Sequence, residues 1–117
     1  MKLAGNFCKI IFLDKGNDGF KVIVELLPDH PVYKGHFPAQ PVVPGVYTLA
    51  LVRECASMVT GRDMEYADIK ECKFISALLP AEGLKVTLDF SLTGDGKLCG
   101  TVKRGTDTIL KLKATLK

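Results

Sequence analysis

The chain has 117 residues, 47% of them hydrophobic and 25% charged, with a formal net charge of +3. That length fits one domain with a modest core, residues 1–117, and the composition excludes intrinsic disorder. So small and scattered an excess of base argues against a nucleic-acid partner, and no apolar run is long enough to span a membrane.

Residues 6–13 (NFCKIIFL) predict a short apolar strand, and DKGNDG at 14–19 is a dense turn signal. Residues 20–27 follow with Phe20, Val22, Val24 and Leu26 on one face, so the two segments read as a hairpin. Lys9 interrupts the only apolar stretch near the N-terminus, and Asp14 and Lys15 end it. No secretory signal is therefore expected, and a cytoplasmic location is. The cysteines at 8, 55, 72 and 99 lack the spacing of a zinc site or redox motif. All four are expected to be reduced, core or half-buried thiols. Neither metal nor cofactor is expected, because no ligand cluster is visible.

Residues 28–45 (PDHPVYKGHFPAQPVVPG) hold five of the six prolines and both histidines. Proline removes backbone donors and fixes φ, so this is an ordered, irregular loop, and a long loop of that kind is usually functional. A helix is predicted over 45–60 (GVYTLALVRECASMVT), ended by Gly61. Tyr47, Leu49, Leu51, Val52, Cys55, Ala56, Met58 and Val59 cover more than half its circumference, which requires wrapping by other structure. The remaining stripe carries Val46, Ala50, Arg53, Glu54 and Ser57.

The second half reads as strands. Residues 67–79 suggest one long bent strand, and 84–92 alternate with Leu84, Val86, Leu88, Phe90 and Leu92 inward. TGDGK at 93–97 is a hairpin turn, 98–103 pair back, and 108–116 close the sheet. Consecutive antiparallel strands packed on one apolar helix give an α+β domain.

The informative stretch is Gly35-His36-Phe37-Pro38-Ala39-Gln40-Pro41-Val42-Val43-Pro44-Gly45-Val46. It places an imidazole in an apolar, proline-stiffened loop just before a helix N-terminus. Desolvation keeps such an imidazole neutral, the state a general base needs. The first turn of the helix offers free N–H groups, and Gly45 lets a ligand carbonyl approach them closely. A base beside such a helix end suits removal of a proton alpha to a thioester carbonyl. His30, next to Pro31, reads as a surface turn residue.

This segment resembles the signature of the 3-hydroxyacyl-[acyl-carrier-protein] dehydratases, G-H-F-P-G-x-P-x-M-P-G-V followed by an acidic residue. The resemblance extends over the chain, including Ile69 to Pro80, where Lys73-Phe74 stand in place of a common Arg-Phe pair. It implies a hot-dog fold, in which a long antiparallel sheet wraps one helix and two chains pair with each site at their interface. It also implies His36 as the catalytic histidine and Gly45 as the glycine whose N–H polarises the thioester carbonyl. Phe37, Val46, Ala50 and Tyr47 would line the substrate site, with a cis peptide between Phe37 and Pro38. An acyl carrier protein bearing the acyl group is the implied partner, within a homodimer or a heterodimer with another hot-dog subunit.

One departure is decisive: the family's acid falls fourteen positions after the histidine, on Ala50. Glu54 lies one turn on and about 40° around the same face, roughly 6 Å further along the axis. Three readings follow. Glu54 serves as a displaced acid; a partner subunit supplies the carboxylate; or the chain binds acyl groups without dehydrating them, or hydrolyses the thioester as other hot-dog proteins do. Dehydration is the leading expectation.

Overall fold

The computed structural model describes residues 8–26, 45–78 and 84–117. The loop carrying His30, His36, Phe37 and the Phe37–Pro38 bond lies outside the described residues. The elements are β1 (Cys8–Lys15), β2 (Gly19–Leu26), α1 (Gly45–Thr60), β3 (Tyr66–Phe74), β4 (Lys85–Leu92), β5 (Lys97–Arg104) and β6 (Asp107–Leu116).

Six strands form one antiparallel sheet in the order β1-β2-β4-β5-β6-β3. The expected hairpins are present: Lys15 faces Phe20 across β1 and β2, and Leu92 faces Leu98 across β4 and β5. The tight turn before β5 uses Gly96 at φ 89°, a backbone conformation that side chains disfavour. Only β3 departs in length, ending at Phe74 rather than running to 79. Register shifts fall between Ile10 and Phe12, at two points in β3, and between Val102 and Lys103. Such bulges bend strands and add twist, which lets one sheet curl around a helix.

Strict alternation puts Phe20, Val22, Val24 and Leu26 of β2 in the core with Val86, Leu88 and Phe90 of β4. Leu98, Val102, Leu110, Leu112, Ala114 and Leu116 continue that inner face across β5 and β6. From α1 the core receives Thr48, Leu51, Val52, Cys55, Ala56 and Val59, a stripe with helical spacing. The stripe is narrower than the sequence suggests. Met58 is 44% exposed instead of core, and Tyr47 and Leu49 are only partly buried. One sheet covers one side of a helix, so apolar residues around the back remain uncovered within this chain. Alternation also corrects Cys99, which sits exposed beside the core residue Leu98. Cys8 and Cys55 are buried and Cys72 is intermediate, and all four thiols are free.

The helix ends as expected. Gly61 takes φ 71° and its N–H donates to the Ser57 carbonyl at 2.9 Å. The following segment is tied back onto α1. The Met64 N–H donates to the Ser57 hydroxyl at 2.9 Å, and Arg53 donates to the Met64 carbonyl at 3.3 Å. No helix among the described residues is long and apolar enough to cross a membrane.

Candidate active site at the helix N-terminus

Gly45 opens α1, so its backbone belongs to the turn whose N–H groups lack partners within the helix. The ring of Phe74, at the end of β3, lies against it. A Cβ added at Gly45 would meet Phe74 Cζ at 2.7 Å. Phe74 is nevertheless 51% exposed, and so are Val46 (63%), which follows Gly45, and Ile75 (51%), which follows Phe74. The helix start therefore sits under an aromatic ring in an apolar, open setting. No acidic side chain occupies its first turn, so no carboxylate of the helix itself offsets the positive end of its dipole. That combination suits an electron-rich carbonyl oxygen attached to an apolar chain.

Lower on the same helix, Tyr47 and Ala50 are partly buried against the core. Further anchoring comes from Tyr66, whose hydroxyl donates to the Leu49 carbonyl at 2.7 Å. Together, Phe74 and Tyr66 fasten β3 to the N-terminal half of α1 at two points. The Lys73-Phe74 dipeptide was visible in the sequence, but its contact with Gly45 was not, because strand length and bulges decide which residue reaches the helix.

Glu54 is half-buried, and its charge is felt by two buried thiols. Burial pushes the Cys8 thiol up to about 11, with the Glu54 carboxylate adding to the rise. Burial likewise pushes Cys55 to about 12, helped by Cys8 and by Glu54. These thiols stay protonated at neutral pH and are not nucleophiles. Arg53 reaches toward Met64 and Tyr66.

Depth along α1 separates the candidate groups. Gly45 to Ala50 is five residues, or about 7.5 Å of rise, whereas Gly45 to Glu54 is nine residues, or about 13.5 Å. Side chains lean toward the helix N-terminus, which recovers only part of that difference. Glu54 thus shares a face with Ala50 but sits about one turn deeper. Among the described residues no group of three or more His, Cys, Asp or Glu side chains could hold a metal ion. An open groove does exist at the other end of α1, over Phe20, Val59, Met64 and Leu92 with Lys15 and Arg62 at its rim. It lies at the far end of the helix from Gly45 and includes none of the candidate site residues read from the sequence.

Comparison with known proteins gives the fold and chemistry a family context. A family model described as ApeI-like, ApeI dehydratase, matches residues 13–107. The FabZ 3-hydroxyacyl-[acyl-carrier-protein] dehydratase of Streptococcus mutans serotype c is 27% identical over 109 residues, covering 87% of this chain and 71% of that protein. That of Chlamydia pneumoniae is 32% identical over 73 residues, covering 55% of this chain and 48% of its own length. Among solved structures, the dehydratase heterocomplex ApeI:P from Xenorhabdus doucetiae superposes with a TM-score of 0.81 at 22% identity, covering 93% of this chain and 96% of that one. An uncharacterized protein from Erwinia carotovora subsp. atroseptica gives 0.75 at 23% identity, covering 94% and 95%. At such identities the structural likeness is one of fold, and the fold is the hot-dog arrangement.

Proposed function

Because the chain belongs to the ApeI-like dehydratase family, we propose that it is the histidine-bearing subunit of a two-chain hot-dog dehydratase, with a second hot-dog subunit supplying the carboxylate. The substrate is a 3-hydroxyacyl thioester carried on an acyl carrier protein. In this reading His36 removes the proton alpha to the carbonyl, and the developing enolate charge falls on an oxygen held by the Gly45 N–H. The partner's carboxylic acid gives its proton to the 3-hydroxyl as the C–O bond breaks. Water leaves and a 2,3-enoyl thioester remains. Phe37, Val46, Tyr47 and Ala50 line the path of the acyl chain, the small Ala50 leaving room where the resembled family carries its acid.

The observation that carries this reading is the depth of Glu54. The chain's own carboxylate on that helix face is about one turn too far from Gly45 to stand in for the acid that the resembled family carries at the position of Ala50. The heterocomplex described for the Xenorhabdus protein lends the two-chain arrangement further support.

The test is conversion of a 3-hydroxyacyl thioester to its enoyl product, followed by enoyl absorbance. The chain is assayed alone and mixed with candidate hot-dog subunits. Expected are negligible turnover alone, turnover with the partner, and loss of at least about a hundredfold on His36→Ala, the usual scale for a general base. Glu54→Gln is expected to change the rate less than threefold. Full activity of the isolated chain, abolished by Glu54→Gln, would overturn the two-chain reading. Release of free thiol without enoyl product would replace dehydration by thioester hydrolysis.

A further inference from the structure

Strand β1 forms one end of the sheet, with no strand beyond it among the described residues. The proposed chemistry belongs to the other end, where the ring of Phe74 in β3 lies against Gly45. Three consecutive side chains of β1 are open to solvent: Ile11 (43%), Phe12 (48%) and Leu13 (44%). Pairing with β2 fixes which way the residues of β1 face. Ile10 and Leu13 stand opposite the buried Val24 and Val22, on the helix side of the sheet. Lys9, Phe12 and Asp14 stand opposite Glu25, Ile23 and Lys21, on the outer side. The irregularity between Ile10 and Phe12 produces this pattern by taking up Ile11 as an extra residue. Bulges often blunt a sheet edge; this one puts Lys9 and Asp14 on a single face. Two rows of charge cross that outer face and stop at β1. One runs Lys85, Glu25, Lys9 over β4, β2 and β1, and the other runs Asp89, Lys21, Asp14 over the same strands. Signs alternate along both rows, and Lys9 pairs with Glu25 at 3.3 Å. At the open edge the first row ends on a cation and the second on an anion.

We infer that this edge docks a second copy of the chain, β1 against β1 in antiparallel register about a two-fold axis at Phe12. Such a pair is self-complementary: whatever one copy presents, the other must answer. Residues that face each other must also lie on the same side of the sheet. With Phe12 opposite its own counterpart, Ile10 faces Leu13 and Lys9 faces Asp14 of the other copy, each twice, and every pair meets that condition. The charge rows then join. Lys85, Glu25 and Lys9 of one copy continue into Asp14, Lys21 and Asp89 of the other, with alternating sign over six strands. Opposite charges and aromatic pairs directly across neighbouring strands stabilise a sheet. Centring the axis on Ile10 or on Leu13 instead would set Phe12 against Lys9 or against Asp14, and would leave the other charge unanswered. The edge thus carries its own complement, which selects another copy as the occupant. Phe74 and Gly45 take no part in the contact, so the inference does not rest on the proposed function.

The experiment follows self-association of the full chain by sedimentation equilibrium and needs no turnover. Lys9→Glu sets like charges against each other at both junctions, and so does Asp14→Lys. Each variant alone is expected to associate about tenfold or more weakly than the unaltered chain, because like charges in register repel. An equimolar mixture of the two variants sets opposite charges together at both junctions. Its affinity should return to within about threefold of the unaltered chain, whereas a fold damaged by either substitution would stay damaged on mixing. A second readout leaves the charges alone. In a Cys99→Ser background, Phe12→Cys should form a disulfide between copies on oxidation, because residues opposed in an antiparallel pair bring their Cα atoms to about 4.5–5.5 Å. Lys9→Cys, which would face Asp14 of the other copy, should not. The inference is overturned if the unaltered chain does not self-associate, or if both charge reversals leave its affinity within twofold. It is overturned equally if the mixture stays as weak as its components, or if Lys9→Cys cross-links as readily as Phe12→Cys.

Discussion

The contact between Gly45 and Phe74 makes a prediction about coupling. Alanine is the better helix former, but its Cβ here would press on a ring atom 2.7 Å away. Gly45→Ala is expected to destabilise the chain by about 1 kcal/mol, because the ring must swing off the helix start. In a Phe74→Ala background the same change should become neutral or slightly stabilising, giving an interaction energy of about 1 kcal/mol in a double-mutant cycle. Urea denaturation of the four proteins measures it. A second residue-scale prediction concerns the thiols. Cys55, pushed up to about 12 by burial, keeps its proton in the fold after the unfolded thiol, near its ordinary value of 9.0, has lost it. The unfolded state then binds fewer protons, so stability is complete below pH 9 and falls as pH rises from 9 toward 12. The slope is on the order of 1 kcal/mol per pH unit from this group. Denaturant midpoints at pH 8 and pH 10 should differ by clearly less in Cys55→Ala, whatever that variant's absolute stability.

At the scale of elements, the fastening of β3 to α1 and the packing between β4 and β5 differ in what they tolerate. Tyr66 contributes one hydroxyl to the Leu49 carbonyl, so Tyr66→Phe should lower stability by about 1 kcal/mol and leave the fold unchanged. Gly100 lies on β5 opposite Phe90, and a Cβ there would meet the Phe90 Cα at 2.7 Å and the Asp89 carbonyl oxygen. Backbone of a central strand cannot withdraw as a side chain can. Gly100→Ala should therefore cost about 3 kcal/mol, the upper range for overpacking, seen as a drop in the thermal midpoint. Strand and helix limits were largely legible beforehand, since period-2 runs, Asp-Gly turns and the Gly61 stop are local signals. The overlong reading of β3 was not correctable locally: residues 67–79 contain neither proline nor glycine to mark a stop, and only pairing with β6 decides where the strand ends.

For the whole molecule, the edges of the sheet matter most. β1 and β3 are the two outer strands, and both expose large apolar side chains: Ile11, Phe12 and Leu13 on one, Ile69 and Phe74 on the other. Unpaired edges with such residues are aggregation-prone unless covered, which accords with a chain that works alongside a second subunit. Mixing with the correct hot-dog partner is expected to raise the thermal midpoint by several degrees, because binding to the native state alone stabilises it by mass action. A midpoint that is unchanged at saturating partner would count against the two-chain reading.

The chain's residues by themselves determined the alternating inward faces, the helix limits and the twelve-residue stretch ending in Gly45-Val46, because each is written in the order of neighbours. Tertiary structure alone decided that Met58 and Cys99 face outward, that Phe74 is the residue laid on the helix start, and that Lys73 and Lys111 meet across strands. The physical reason is common to all three. Each depends on how far one sheet reaches around one helix and on which residue of a distant strand arrives opposite, and long-range register is set by packing rather than by adjacent residues.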